Sequence, residues 1–150
     1  NLERVQKEQY GGIEATINSE MERINATLYS EKVNPPILHL EGNSYEFFTQ
    51  DDTGTGIAYK GLVVYDLAIA SLTRLPILVH DSLILKQISD EAVENILVRY
   101  MESGKQVIIS LDKQDSYSKR TAEILEKQCV LHLAPNGREL FGRAWSRQET

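Results

Sequence analysis

The stretch Leu75-Pro-Ile-Leu-Val-His-Asp-Ser82 limits what this chain can fold into more than any other. Ile77 to Val79 is a short apolar run with two β-branched residues behind a proline, the composition of a buried strand. The run ends in Asp81, where such a strand would emerge from a sheet. In open α/β sheets ligands gather at the carboxyl ends of the strands. An acid there suits a cation, usually Mg²⁺, held through water beside a phosphate. The plainer alternative is an aspartate that caps the next segment.

Gln106-Val-Ile-Ile-Ser-Leu111 repeats this design and again ends in an acid, Asp112. Between the two, Ser89-Asp-Glu91 predicts a capped helix running to about Met101, closed by Ser103-Gly104. Asp115-Ser-Tyr117 leads into a helix to about Gln128, and Cys129 to Leu133 reads as the next strand. Asn136-Gly137 is a turn, and Glu139-Leu-Phe-Gly-Arg-Ala-Trp145 reads as a final strand with an aromatic anchor. Strand alternating with helix over short links predicts an α/β fold, mainly a parallel sheet with flanking helices and right-handed crossovers.

Upstream, residues 1 to about 30 predict a long helix, with Ile13, Ile17, Met21, Ile24 and Leu28 on one stripe. Gly11-Gly12 interrupts it and predicts a joint or break, since each glycine costs about 1 kcal/mol relative to alanine. The stripe fits a coiled-coil seam or the inner face of a helix on the domain. Asn34-Pro35-Pro36 stops the helix. Ile37 to Glu41 and Tyr45 to Thr49 then flank Gly42-Asn-Ser44 as a β-hairpin. His39 lies between two leucines without a second histidine at ligand spacing, so it reads as a structural or surface residue. The expected division is a helical arm over 1–30 and a lobe over 31–150.

Gln50-Asp-Asp-Thr-Gly-Thr-Gly56 is the second informative stretch, because it opens directly into an apolar helix from Ile57 to Leu72. A glycine-rich turn at a helix N-terminus presents backbone amides and the positive end of the dipole, which suits a phosphate. An N-cap with flexible glycines is the plainer reading of the same residues.

A net charge of −6 argues against a broad nucleic-acid surface. The single cysteine, Cys129, rules out an intrachain disulfide and a thiolate zinc site, and its apolar neighbours predict burial. No apolar run suggests a membrane span and no leader is visible, so a cytoplasmic protein without a membrane partner is expected.

Taken in order, these stretches resemble the C-terminal half of an SMC-like or ABC-type ATPase head. Thr53, Gly54, Thr55 and Gly56 stand at the signature position and Ile57 to Leu72 looks like the signature helix. Ile77 to Asp81 looks like Walker B, Ser89-Asp90 falls near the D-loop, and Gln106 to Asp112 looks like the switch strand. The Asp-Thr-Gly-Thr-Gly, His-Asp-Ser and Gly-Lys-Gln-Val-Ile-Ile-Ser-Leu-Asp runs are similar to an uncharacterised domain family. That family sits at the C-terminus of SMC-like proteins described as DNA-repair-type ATPases, some linked to ABC-three-component conflict or defence systems. The resemblance implies Asp81 as the Mg²⁺ residue, with Asp81, Ser82 and Asp112 at the catalytic positions and residues 53–56 meeting the γ-phosphate. It also implies ATP and Mg²⁺ as cofactors of the intact protein, a homodimeric head, and DNA as a ligand of the full assembly.

Three positions depart from the family pattern. Ser82 replaces the glutamate that polarises water, Asp112 replaces the switch histidine, and the Ser-Gly-Gly spelling is absent. Serine is no base near neutral pH. Asp112, Asp115 and His80 are the substitutes within reach, and His80 is disfavoured because neighbouring side chains on a strand point to opposite faces. No Gly-x-x-x-x-Gly-Lys-Ser/Thr is present, so the phosphate loop is expected in an N-terminal Walker A half of the same protein. The mid-helix start without methionine fits a piece of a longer chain that neither binds nor hydrolyses ATP alone.

Two other classes fit the same residues. Asp81 and Asp112 at neighbouring strand ends suit a self-contained Mg²⁺-dependent phosphotransfer or nuclease domain. The stripe from Ile13 to Leu28 suits a dimerisation or partner-docking module. Were the two acids to face one another unpaired, each would raise the other's pKa, and Asp81→Asn would stabilise the chain.

Overall fold

The computed structural model describes residues 2–112 and 116–142. Two compact units divide the chain, residues 1–117 and 118–150.

In the first unit, α1 spans Leu2–Asn25 and runs straight through Gly11 and Gly12. The expected break is absent because neither glycine adopts a positive φ and interactions further along hold the helix in place. Ile17, Met21 and Ile24 are buried against the rest of the unit. The Asn18 side chain both donates to the Leu38 carbonyl and accepts from the Leu38 amide, each at 2.8 Å. Glu14 Oε2 accepts from the Leu40 amide at 2.9 Å. These bonds attach α1 along one edge of the following strand and outweigh roughly 2 kcal/mol of glycine cost.

The hairpin is as predicted: β1, Pro36–Glu41, pairs antiparallel with β2, Ser44–Thr49. Gly42 at φ 56° takes the first turn position, where a side chain would be strained. α2, Thr55–Leu72, lies across the inner face of the hairpin, with Phe47 edge-on to Tyr65 at 5.7 Å. By length and composition alone α2 could cross a membrane, contrary to the expectation that no apolar run suggests a span. Here it is the central core helix, burying Val63, Val64, Leu67, Ala68 and Ala70 together with Lys60.

β3, Ile77–His80, α4, Asp90–Glu102, and β4, Gln106–Ile109, follow as the sequence suggested, and a short helix not expected from it, α3, Ser82–Leu85, stands between β3 and α4. β3 and β4 are parallel, with Ile77 beside Gln106 and His80 beside Ile109. The mainly parallel sheet expected from the alternation is not formed. Among the described residues there are two separate two-stranded sheets, one antiparallel and one parallel. A parallel sheet needs several strands with both faces covered, and this stretch of chain contributes only two.

In the second unit, α5 spans Lys119–Gln128, with the Ser118 hydroxyl accepting from the Thr121 amide. The strand expected over Cys129 to Leu133 is not present, and Cys129 is exposed rather than buried. Without a neighbouring strand to take its backbone bonds this apolar run stays irregular, leaving Val130 fully exposed. The turn at Asn136-Gly137 is confirmed, with both residues at positive φ and a lone bridge between Ala134 and Arg138. Glu139 to Gly142 form turns rather than the expected strand, and Trp145 and Asp115 lie outside the described residues.

Candidate functional site

The strand alternation of β3 divides its end into two environments. Leu78 and His80 point inward and are buried, while Ile77 and Val79 point out. Asp81 follows at the surface, where the chain leaves β3, and caps α3 by accepting from the Ser82 amide at 2.6 Å. The register sets Ser110, the residue after β4, beside Asp81, and its hydroxyl donates to Asp81 Oδ1 at 2.6 Å. The Ser82 amide also reaches Ser110 Oγ at 2.9 Å, which closes a small ring around the two strand ends.

Asp112 stands two residues beyond Ser110 and pairs with Lys86, in the turn after α3. The two acids therefore reach the same end of the sheet, but with a lysine between them. Asp81 has its pKa lowered, first by the Ser110 hydroxyl, then by the Ser82 amide, with the Lys86 charge adding to both. The expected mutual elevation is reversed because hydrogen bonds and a cation stabilise the ionised form. Asp81 is thus both a cap and an ionised carboxylate at a strand end. Among the described residues no three His, Cys, Asp or Glu side chains converge as a metal site would require.

A lowered folded pKa contributes stability above the unfolded value and loses it as the pH falls through the folded one. Asp81→Asn is therefore expected to lower the melting temperature at pH 7, the opposite of the sequence-based expectation. The deficit is expected to close as the pH drops below the ordinary value of 3.8. Paired thermal scans at pH 7 and pH 3 check this, and a variant that melts higher than the parent at pH 7 refutes it.

His80 faces away from Asp81, as alternation requires, and is 3% exposed. Its Nε2 meets Asp66 Oδ2 at 2.9 Å and its Nδ1 meets the Tyr100 hydroxyl at 2.6 Å. A carboxylate only accepts, so these partners assign the proton to Nε2 and leave Nδ1 accepting from Tyr100. Burial, with Asp66 adding to it, pushes the Tyr100 hydroxyl well above the ordinary tyrosine range. This is a satisfied triad, buried at His80 and Tyr100 and half-exposed at Asp66, that ties α2, β3 and α4 together, and it offers no base to the strand end.

The glycine-rich turn behaves differently at its two glycines. Thr53 precedes the helix, Gly54 is its N-cap, and Thr55 and Gly56 form its first turn. Those first-turn amides receive no side-chain cap, as an anion-binding turn would need. Asp52 Oδ1 accepts from the Gly54 amide at 3.0 Å, so a carboxylate of the chain already stands at this turn. Gly56 has a packing role, since a Cβ there would overlap the carbonyl oxygen of Gln87. The turn therefore abuts the segment that follows Asp81 and α3.

Four participants were missed from the sequence. Ser110 could have been found, because aligning the two acid-ended strands places it opposite Asp81. Lys86 and Gln87 carried no signal, since their roles depend on how α3 turns back. Lys60, one turn beyond Gly56, is fully buried, and its Nζ donates to Asn25 Oδ1 at 2.8 Å and to the Asn34 carbonyl at 3.2 Å.

The family model described as "Uncharacterised protein conserved in bacteria (DUF2326)" matches residues 22–145. Among solved structures the chain is similar to the "Crystal structure of the SmcHead bound to the C-winged helix domain of ScpA". The TM-score is 0.54 at 15% identity, over 74% of this chain and 37% of that one. Identity that low makes the likeness one of fold, and the chain spans little more than a third of that head's length. No curated protein matches the chain.

Proposed function

The chain belongs to the bacterial family described as uncharacterised and numbered DUF2326, and from that premise we propose that it is the C-terminal lobe of an SMC-like ATPase head. In this reading residues 53–56 act as the signature-like turn, β3 with Asp81 as the Walker B-like element, and Ser89-Asp90 as the D-loop-like segment. A complementary half supplies the phosphate-cradling loop and its lysine.

The observation that carries the reading is the β3–β4 pair. Parallel sheets are covered on both faces, yet Ile77, Val79 and Ile108 are 40%, 66% and 49% exposed. The pair has two strands only, so each has an edge unpaired within the described sheet. One face of the pair packs on α2 and α4 through Leu78 and His80, while the other face and both edges stay open among the described residues. Further strands and a covering layer from a complementary half would complete this sheet, and the fold likeness over about a third of an SMC head supports that reading.

Asp81, held ionised at the strand end, fits a water-mediated contact to Mg²⁺. The uncapped amides of the first turn of α2 fit a γ-phosphate presented by an opposing head, with Asp52 displaced from the turn. Bound MgATP would supply the scissile phosphoanhydride. The residues of this chain would orient it toward an attacking water. A homodimeric head, DNA as a ligand, a cytoplasmic setting, and a part in DNA repair or bacterial conflict are extensions that rest on this reading. The self-contained metal-dependent reading gains less from the geometry, because Lys86 engages Asp112.

Calorimetric titration tests the proposal. The chain alone is expected to show no MgATP binding at micromolar concentrations. Together with its complementary half it is expected to bind, with affinity falling at least tenfold in Asp81→Asn. Micromolar binding by the chain alone overturns the reading.

A further inference from the structure

The bonds from α1 to β1 determine which backbone groups of the hairpin remain open. Asn18 takes both the amide and the carbonyl of Leu38, and Glu14 takes the amide of Leu40. In an antiparallel pair a residue's amide and carbonyl point to the same side. Leu38 and Leu40 therefore face α1, and Ile37, His39 and Glu41 face β2. Through the register, Phe48, Glu46 and Ser44 turn their backbone toward β1, while Tyr45, Phe47 and Thr49 turn theirs outward. α1 closes one edge of the hairpin with side chains. The other edge is open, and among the described residues nothing bonds to the backbone of Tyr45, Phe47 or Thr49.

Two further observations define what this edge fits. Its inner face continues into an apolar groove of about 800 Å³ lined in part by Tyr10, Leu40, Tyr45, Phe47, Leu62 and Tyr65. Its outer face presents Glu46, which is exposed. From residue 33 to residue 59 the chain holds four acids, Glu41, Glu46, Asp51 and Asp52, and no lysine or arginine.

We propose that the β2 edge is a docking site for an extended cationic segment of a partner protein, added as a third antiparallel strand. Alternate side chains of such a strand point to opposite faces. One set, apolar or aromatic, enters the groove, and the other set, lysine or arginine, lies on the outer face beside Glu46. The site is separate from the strand ends of β3 and β4 and does not depend on the ATPase reading.

The test is an NMR titration of the chain with three synthetic peptides: alternating Lys-Val, alternating Glu-Val, and Lys-Val carrying N-methyl groups on alternate amides. The Lys-Val peptide is expected to shift the amides of Tyr45, Phe47 and Thr49 and to bind at least tenfold more tightly than the other two. Tyr45→Pro removes an outward donor at an edge position, where proline is tolerated, and is expected to weaken the same peptide at least fivefold. Equal binding of the N-methylated peptide, shifts confined to other surfaces, or no shifts at millimolar peptide each overturn the proposal. So does concentration-dependent dimerisation lost in Tyr45→Pro, which would assign the edge to a second copy of the chain.

Discussion

Replacing Lys60 with alanine is expected to destabilise the chain by roughly 2–4 kcal/mol, a substantial share of an ordinary domain's margin. Two terms drive the loss. Removing a fully buried four-carbon stem opens a cavity in the core helix. It also strands Asn25 Oδ1 and the Asn34 carbonyl, each about 1–3 kcal/mol when left unsatisfied. The opposing term is relief of a buried charge, for desolvation lowers the Lys60 pKa from 10.5 to about 8, with Asp52 pulling weakly the other way. Lys60→Met separates the terms, because it keeps the volume and drops the charge. The sign of the pH effect follows from the lowered value. Below pH 8 both states hold the proton and the folded state bears the full cost. Between pH 8 and 10.5 the folded state releases it first, so stability rises with pH across that window. Denaturant melts of parent and Lys60→Met over pH 7–10.5 are expected to show this rise in the parent alone. A parent curve parallel to the variant's refutes the buried-charge account.

Gly56→Ala is the second large effect, expected to cost about 1–3 kcal/mol by overpacking. The added methyl would overlap the Gln87 carbonyl, a backbone atom that cannot swing aside as a side-chain tip does. Either α2 backs away or the segment 86–89 moves. Gly54→Ala is the control: its Cβ would stand 3.3 Å from Asp52 Oδ1, a side-chain atom that can yield, at a φ of −64° that alanine accepts. Thermal melts of both variants, with amide shifts of Gln87 to Ser89 as the structural readout, check the contrast. Equal tolerance of alanine at 54 and 56 refutes it.

These residues show what could be read from the chain and what could not. The hairpin, α2 and the two acid-ended strands were legible because each depends on local pattern: a Gly-Asn turn, a helical run, a short β-branched stretch stopped by an acid. Their placement was also legible, since alternation alone put His80 on the face opposite Asp81. The state of the site was not legible. The ionisation of Asp81 depends on Ser110 and Lys86, which reach it through strand register and the turn after α3. Cys129 to Leu133 misled for a related reason, because apolar β-branched character makes a strand only where a neighbour takes the backbone bonds. Gly11-Gly12 misled in the opposite direction. Its local cost is real, but Asn18 and Glu14, fixed to another element, decide the outcome.

The attachment of α1 also has a mechanical consequence. Asn18 and Glu14 grip the edge of β1 side by side, and Asn25 at the end of the helix holds Lys60. A load along the helix axis therefore falls on several bonds together, in shear, and none can be peeled off singly before the rest engage. The Asn25–Lys60 bond carries the same attachment on to α2, one turn beyond Gly56.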